Sequence, residues 1–384
     1  MRFEFATAGR ILFGSGTVAE IPTQARAMGQ RAFVITGRSP QRFSALFAGL
    51  EEQGIAATRF EVGGEPSVEL AQEAAGHARR AGCDLVIGVG GGSVIDTGKV
   101  IAALLANPGD LTDYLEVVGH GKPLSNPSLP HIAVPTTAGT GSEVTRNAVL
   151  ESSAHRVKVS IRSPWMLPRL AVVDPDLTLS MPPALTASCG LDALTQVMEP
   201  FVSNQANPLT DGLCREGMAR AARSLGAAFE DGSNRAARED MAAASLLGGL
   251  ALANAKLGAV HGFAGPIGGM FDAPHGMVCA SLLPYVMAAN VQALQQRLPE
   301  SPVLDRYDEV ARILTGDPSA RSGKGVQWVR ELCQTLAVPT LSHFGIARLH
   351  FDEIIDKSRN ASSMKGNPLV LADAELESIL EQAL

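Results

Sequence analysis

The first 180 residues alternate short β-branched runs with alanine-rich amphipathic stretches, and the alternation then stops; no other feature narrows the fold as much. Residues 32–36 (AFVIT) read as a strand, 41–53 as a helix and 56–62 as the next strand. Residues 68–81 are helical in pattern, 84–89 are a strand, 93–105 a helix, 131–134 a strand ending at Pro135, and 172–175 hold the last strand. Such alternation predicts a mostly parallel sheet covered by helices. Ligands of such sheets bind beyond the carboxyl ends of the strands. The character changes at Ser180-Met181-Pro182-Pro183, where Ser180 can cap a helix and proline is tolerated in the first turn. Helical periodicity dominates afterwards, over 211–229, 238–255, 278–296, 303–314 and 325–336. The expected fold is therefore α/β plus all-α. An N-terminal Rossmann-like parallel-sheet domain spans 1–180, and a C-terminal all-helical domain spans 181–384.

Composition fits this plan. A chain of 384 residues, 46% hydrophobic, supports a large core and two domains. The net charge of -7 argues against nucleic acid and anionic membrane surfaces as partners. The five cysteines, Cys83, Cys189, Cys214, Cys279 and Cys333, form no C-x-x-C pair, which fits reduced thiols in a cytoplasmic protein. The opening MRFEFATAGRILFGSG has no long apolar run, so no signal peptide is expected. The Ala/Leu/Gly-rich stretch 241–260 contains Asn254 and Lys256 and runs into His261, so it reads as a buried helix and not a membrane span.

Two glycine-bearing loops follow strands. Gly90-Gly91-Gly92-Ser93 opens a helix, where glycine lets backbone approach a phosphate and the N–H groups and helix dipole favour the anion. Ser93 can add a hydroxyl contact. Asp96 and Lys99 share a face, where they can pair locally or reach ribose and phosphate. The second loop runs from Pro135 through Thr136, Thr137, Gly139 and Thr140 to Ser142. Together they read as a nucleotide cradle. No acid follows the first strand; Gly37-Arg38-Ser39 stands there instead. Many NAD sites place a carboxylate on the ribose at this point. Gly37 leaves room and Arg38 can pair with an extra phosphate, so NADP is admitted beside NAD.

Downstream, Asp192, His261 and His275 offer one carboxylate and two imidazoles, a set that suits zinc or ferrous iron. Such a metal would polarise a carbonyl or alcohol oxygen. A nucleotide site and a metal site in one chain suggest a metal-assisted redox enzyme.

These motifs together resemble the iron-containing, or group III, alcohol dehydrogenase family, within the dehydroquinate synthase-like fold. The resemblance covers essentially the whole chain. It rests on residues 11–16 (ILFGSG), 90–99 (GGGSVIDTGK), 135–145 (PTTAGTGSEVT), 190–196 (GLDALTQ) and the segment from His261 to His275. It implies a small-molecule alcohol or carbonyl substrate, NAD or NADP, a divalent metal, iron or zinc, and a homodimer. It also implies that Thr136, Thr137 and Thr145 line the cofactor site, that Lys158 lies near the cofactor ribose, and that Asn147 faces substrate. In the iron-binding members an aspartate, a histidine four residues later and two further histidines hold the metal. Asp192, His261 and His275 match three of these. Gln196 stands at the first histidine, and Gly265 replaces another histidine four residues after His261. The expectation is thus a variant in which Gln196 serves as a weak fourth ligand and the proton path is altered. Two alternatives stem from these departures: a maleylacetate-reductase-like, metal-independent reduction of an unsaturated oxo-dicarboxylate, and a dehydroquinate synthase-like lyase.

Overall fold

The computed structural model describes residues 2–152, 154–155 and 157–384. The chain forms two compact units. One comprises Ala6–Thr137 and Gly141–Thr178; the other comprises Leu179–Leu384, Ala138–Thr140 and the N-terminal stretch ending at Phe5.

In the first unit, among the described residues, six parallel strands make one sheet. They are β1 (Ile11–Phe13), β2 (Arg31–Thr36), β3 (Ala56–Glu61), β4 (Leu85–Gly90), β5 (His131–Pro135) and, after an antiparallel hairpin of β6 (Asn147–Ser152) and β7 (Val157–Arg162), β8 (Leu170–Val173). The order across the sheet is β1-β8-β5-β4-β2-β3. Val34 of β2 pairs with Ile87 of β4, which pairs with Ile132 of β5. These central strands are buried on both faces, and they therefore read in sequence as continuous apolar runs. Phe33, Ile35 and Val86 face the alanine-rich helix Val68–Arg80 and part of helix Gly92–Ala106. Val34, Ile87 and Ile132 face the opposite layer, with Ile21, Phe47 and Leu50.

The order has a functional consequence. The chain runs from β2 outward to β3, then crosses back to place β4 on the other side of β2. That reversal creates a switch point between the carboxyl ends of β2 and β4, where open parallel sheets bind ligands. Gly37 and Arg38 follow β2 there, and Gly91 to Ser93 follow β4.

The second unit is helical. Its core joins Leu191, Leu194, Val197 and Phe201 of helix Pro183–Val202 with Met218, Leu225, Phe263 and Leu282 of neighbouring helices. Small residues let these helices approach closely: a Cβ on Gly190 would lie 2.1 Å from Leu225 Cδ1, and one on Gly217 2.6 Å from Val197 Cγ1. Pro182, and not Ser180, occupies the N-cap of helix Pro183–Val202. The apolar stretch 241–260 is also not one helix. Helix Arg235–Asn254 ends there, and Ala259–Met270 follows after a bend of 96°. Helix His275–Arg297 is long and apolar enough to cross a membrane, but it is largely buried within the fold, as a core helix is.

Candidate metal centre and cofactor site

Helix Pro183–Val202 presents Asp192, Gln196 and Glu199 along one face, at spacings of four and then three residues. Helix Ala259–Met270 carries His261 in its first turn, and helix His275–Arg297 begins with His275 and carries Cys279 one turn later. Gly276 permits the approach of this last helix, since a Cβ there would sit 2.3 Å from the Ser188 carbonyl oxygen.

Four donors converge as a result. The ligating atoms of Asp192, His261, His275 and Cys279 all lie within 4.8 Å of one another. His261 Nε2 is 3.3 Å and His275 Nε2 3.9 Å from Asp192 Oδ1, and Cys279 Sγ is 3.8 Å from His275 Nε2. Asp192 Oδ1 is buried and accepts no hydrogen bond. A buried carboxylate oxygen without a hydrogen bond is costly unless a cation meets it. With neutral imidazoles the Asp192 carboxylate and Cys279 thiolate carry two negative charges, which one dication balances. The residues present thus fit a divalent metal.

Glu199 sets the tautomer of His261. Its Oε2 accepts from His261 Nδ1 at 2.6 Å and its Oε1 from the Val260 backbone N–H at 2.7 Å. A proton held on Nδ1 leaves the Nε2 lone pair facing Asp192, the arrangement a metal-ligating histidine needs. Gly258 makes room for this carboxylate, since a Cβ there would lie 2.8 Å from Glu199 Oε1. Asn367 completes the anchor by accepting from the Ala259 N–H at 3.2 Å.

The charges in the cluster are coupled. Burial opposes the ionised form of each group, yet the net result favours ionisation throughout. Burial raises the Asp192 carboxyl, but His261 and His275 outweigh it and leave it below its ordinary value. Burial lowers both imidazoles, but Cys279 and Asp192 outweigh it and raise them, with Glu199 adding to the effect on His261. Among the five cysteines Cys279 alone is pulled down, its burial being outweighed by the two imidazoles. Cys189, by contrast, is pushed up to about 12 by burial and by Asp192. A thiol that ionises readily is a metal ligand, and one pushed that high is inert.

This arrangement corrects the expectation of a ligand set depleted at Gln196 and Gly265. Cys279 supplies the fourth donor, which the sequence reading missed. The signal was present, because His275 and Cys279 stand four apart, a helical spacing that aligns two side chains. Gln196 is committed elsewhere: its Nε2 donates to the Gly139 carbonyl at 2.9 Å. Gly265 lies one turn beyond His261, and a Cβ there would meet nothing within 4 Å.

Beside the switch point, at the carboxyl ends of β4 and β5, the two glycine loops meet. The Thr136 N–H donates to the Gly90 carbonyl at 2.9 Å, and a Cβ on Gly91 would come 3.4 Å from Thr137 Oγ1. No side chain caps the N-terminus of helix Gly92–Ala106 at Gly91. That leaves a surface of small residues, hydroxyls and a helix N-terminus, which fits a nucleotide's phosphates. Gly92 and Ser93 form its first turn. Gly37 has open space where a Cβ would point, and Arg38 is exposed beside it. Thr140 is exposed in its loop.

Other nominated residues have structural partners. Lys99 is fully buried and donates to Ser142 Oγ at 2.7 Å, Thr145 Oγ1 at 2.8 Å, the Asn147 carbonyl at 2.7 Å and Asp96 Oδ1 at 3.2 Å. Asp96 Oδ2 accepts from the Val149 N–H at 2.9 Å. Asp96 and Thr145 therefore tie the hairpin to helix Gly92–Ala106. Lys158, on β7, pairs with Glu65 at 3.1 Å.

Similarity to known proteins agrees with this chemistry. Residues 8–175 match the family description "Iron-containing alcohol dehydrogenase", and residues 186–384 match "Fe-containing alcohol dehydrogenase family, C-terminal". The chain is 38% identical over 326 residues to long-chain-alcohol dehydrogenase 1 of Geobacillus thermodenitrificans, covering 83% of this chain and 80% of that protein. It is 37% identical over 337 residues to 1,3-propanediol dehydrogenase of Klebsiella pneumoniae, covering 87% and 85%. The crystal structure of a 1,3-propanediol oxidoreductase superposes with a TM-score of 0.92 at 32% identity, covering all of both chains. A parallel-sheet unit with a nucleotide cradle, a helical unit with a four-donor centre, and these matches lead to one assignment: the chain belongs to the iron-containing alcohol dehydrogenase family, as an NAD(P)-dependent, metal-assisted oxidoreductase acting on CH–OH groups.

Proposed function

We propose that the protein interconverts a small primary alcohol and its aldehyde, with Asp192, His261, His275 and Cys279 holding one divalent metal. The observation that carries this reading is the convergence of four buried donors on one point, backed by Glu199. When bound, the metal supplies Lewis acidity toward the substrate oxygen, and the nicotinamide supplies or accepts the hydride. The chain's own residues orient and exclude water. Glu199 keeps a proton on His261 Nδ1. The side chains of Asp192 and His261 are 4% and 6% exposed, but that of His275 is 34% exposed, so substrate approaches from the side of His275. The open space at Gly265, one turn from His261, enlarges the room available to it. The relatives' names, a long-chain-alcohol and a 1,3-propanediol dehydrogenase, support a terminal hydroxyl as the reacting group. The four-donor centre removes the motive for a metal-independent reductase.

The same reading assigns the nicotinamide cofactor to residues 1–180, at Gly37, Arg38, Gly91, Gly92, Ser93, Thr136, Thr137 and Thr140, with Asp96, Thr145 and Lys158 supporting that site, and the substrate contact to Asn147. It assigns metal and substrate to residues 181–384. It includes a homodimer, by family resemblance, and a cytoplasmic location, which the five free cysteines suit. His261→Ala should lose the metal and most turnover while keeping nicotinamide affinity; full turnover in a metal-free His261→Ala protein would refute the assignment. Gly37→Asp should shift preference from NADP toward NAD by about tenfold or more, since one charge-assisted contact is worth roughly 1.5–3 kcal/mol. An unchanged ratio of the two efficiencies would remove residues 37 and 38 from the cofactor site.

A further inference from the structure

We propose that the Cys279 sulfur is a direct metal ligand and that it makes this centre selective for zinc over iron, despite the iron-binding family to which the chain belongs. The inference rests on the metal centre proposed above and adds the identity of the ion.

The first argument is donor chemistry. A thiolate is a soft ligand that favours zinc, while carboxylate and imidazole alone accept ferrous iron as readily. Cys279 replaces an all-nitrogen-and-oxygen donor set with one that contains sulfur. It is fully buried, and it shares a face of helix His275–Arg297 with His275. Zinc is also favoured over ferrous iron in most sites of this kind, and a thiolate widens the gap.

The second argument is geometry. Zinc takes nitrogen and oxygen at about 2.0–2.2 Å and sulfur at about 2.3 Å in a tetrahedron. Those bonds place neighbouring donors roughly 3.3–3.6 Å apart, whereas adjacent ligands of an octahedron with bonds of about 2.1 Å stand roughly 3.0 Å apart. Three of the six donor separations are 3.3 Å for Asp192 to His261, 3.9 Å for Asp192 to His275 and 3.8 Å for His275 to Cys279, and all six lie within 4.8 Å. These three lie at or slightly above the tetrahedral edge, and contraction of the cluster closes the site on zinc.

The test uses the full-length protein, stripped with a chelator and reloaded anaerobically with one equivalent of Co(II). Cobalt reports a sulfur ligand through a thiolate-to-metal charge-transfer band in the near ultraviolet. We expect that band in the parent and its loss in Cys279→Ser with Co(II) still bound. In an equimolar mixture of Zn(II) and Fe(II), the parent should retain zinc, and the zinc-to-iron ratio should fall at least about tenfold in Cys279→Ser. Bound Co(II) without the band would overturn the proposal and remove Cys279 from the ligand set, leaving a centre of Asp192, His261 and His275 only; an equal metal ratio in both proteins would overturn the zinc selectivity while leaving the four-donor centre standing. Failure of the parent to hold any Co(II) would overturn the metal centre as well. The parent spectrum decides the ligand question even if the serine variant does not fold.

Discussion

Glu199 shows how much a single side chain outside the ligand set can decide. It fixes the His261 tautomer and the first turn of the helix that carries it. Glu199→Gln should weaken metal binding by about 10–100-fold, the usual effect of losing a partner behind a ligand, while leaving the fold intact. Competition against a chelator of known affinity measures this, and an unchanged affinity would reduce Glu199 to a helix cap. Glu143 offers a second residue-scale test. It is fully buried, and burial, only partly offset by a backbone hydrogen bond and by Lys99, pushes its carboxyl up to about 7 from 4.5. The folded state holds the proton more tightly than the unfolded state, so stability falls as pH rises from about 4.5 to about 7 and then levels off. Glu143→Gln abolishes that titration, so its stability relative to the parent should rise across this window by up to about 3 kcal/mol. Denaturant titrations at pH 4.5 and 7.5 provide the comparison; a difference that does not change with pH would contradict the assignment. Legibility at this scale followed residue chemistry. Asp192, His261 and His275 could be nominated because few other roles bring such residues together in motif order. Cys279 escaped because the cysteines were read for C-x-x-C pairs, and its partnership with His275 exists only once both share a helix. Glu199 escaped because its role depends on Gly258 and Val260, which only the tertiary fold brings to it.

Elements are positioned by polar anchors as much as by apolar packing. Lys99 joins helix Gly92–Ala106 to β6 and to the turn before it through three hydrogen bonds, to Ser142, Thr145 and the Asn147 carbonyl, and also pairs with Asp96 of its own helix. Burial lowers its pKa, with Asp96 opposing. Lys99→Met leaves Asp96 without its cation and the Asn147 carbonyl without a donor. It should cost about 3–5 kcal/mol, the range for breaking a buried pair by removing one partner. Urea unfolding of parent and variant would reveal it, and a loss under about 1 kcal/mol would mean the network is dispensable. The central strands were legible because burial on both faces leaves an unmistakable apolar run. β1 was not, since three residues show no periodicity. The helices Phe351–Asn360 and Asp373–Ala383 were not either; each is short, and each buries only about four residues. The break between Asn254 and Ala259 was legible in part, since helical periodicity ends at 255 and Asn254, Lys256 and Gly258 interrupt the apolar run, but the sharp bend was not. What ends the helix there is tertiary: Glu199 and Asn367 satisfy the N–H groups of a new helix start.

For the whole molecule, the strand order explains why two glycine loops distant in sequence form one cradle, and the helical unit explains why ligands from three helices converge. Alcohol oxidation by this chain should therefore depend on a divalent ion held by Asp192, His261, His275 and Cys279. The most direct measurement is metal content and turnover followed together on one preparation, before chelation, after it and after metal is restored. About one ion per chain is expected at the start, with turnover that falls in proportion to the metal removed and recovers on its return, and with nicotinamide affinity unchanged throughout. Undiminished turnover in protein stripped of metal would contradict it.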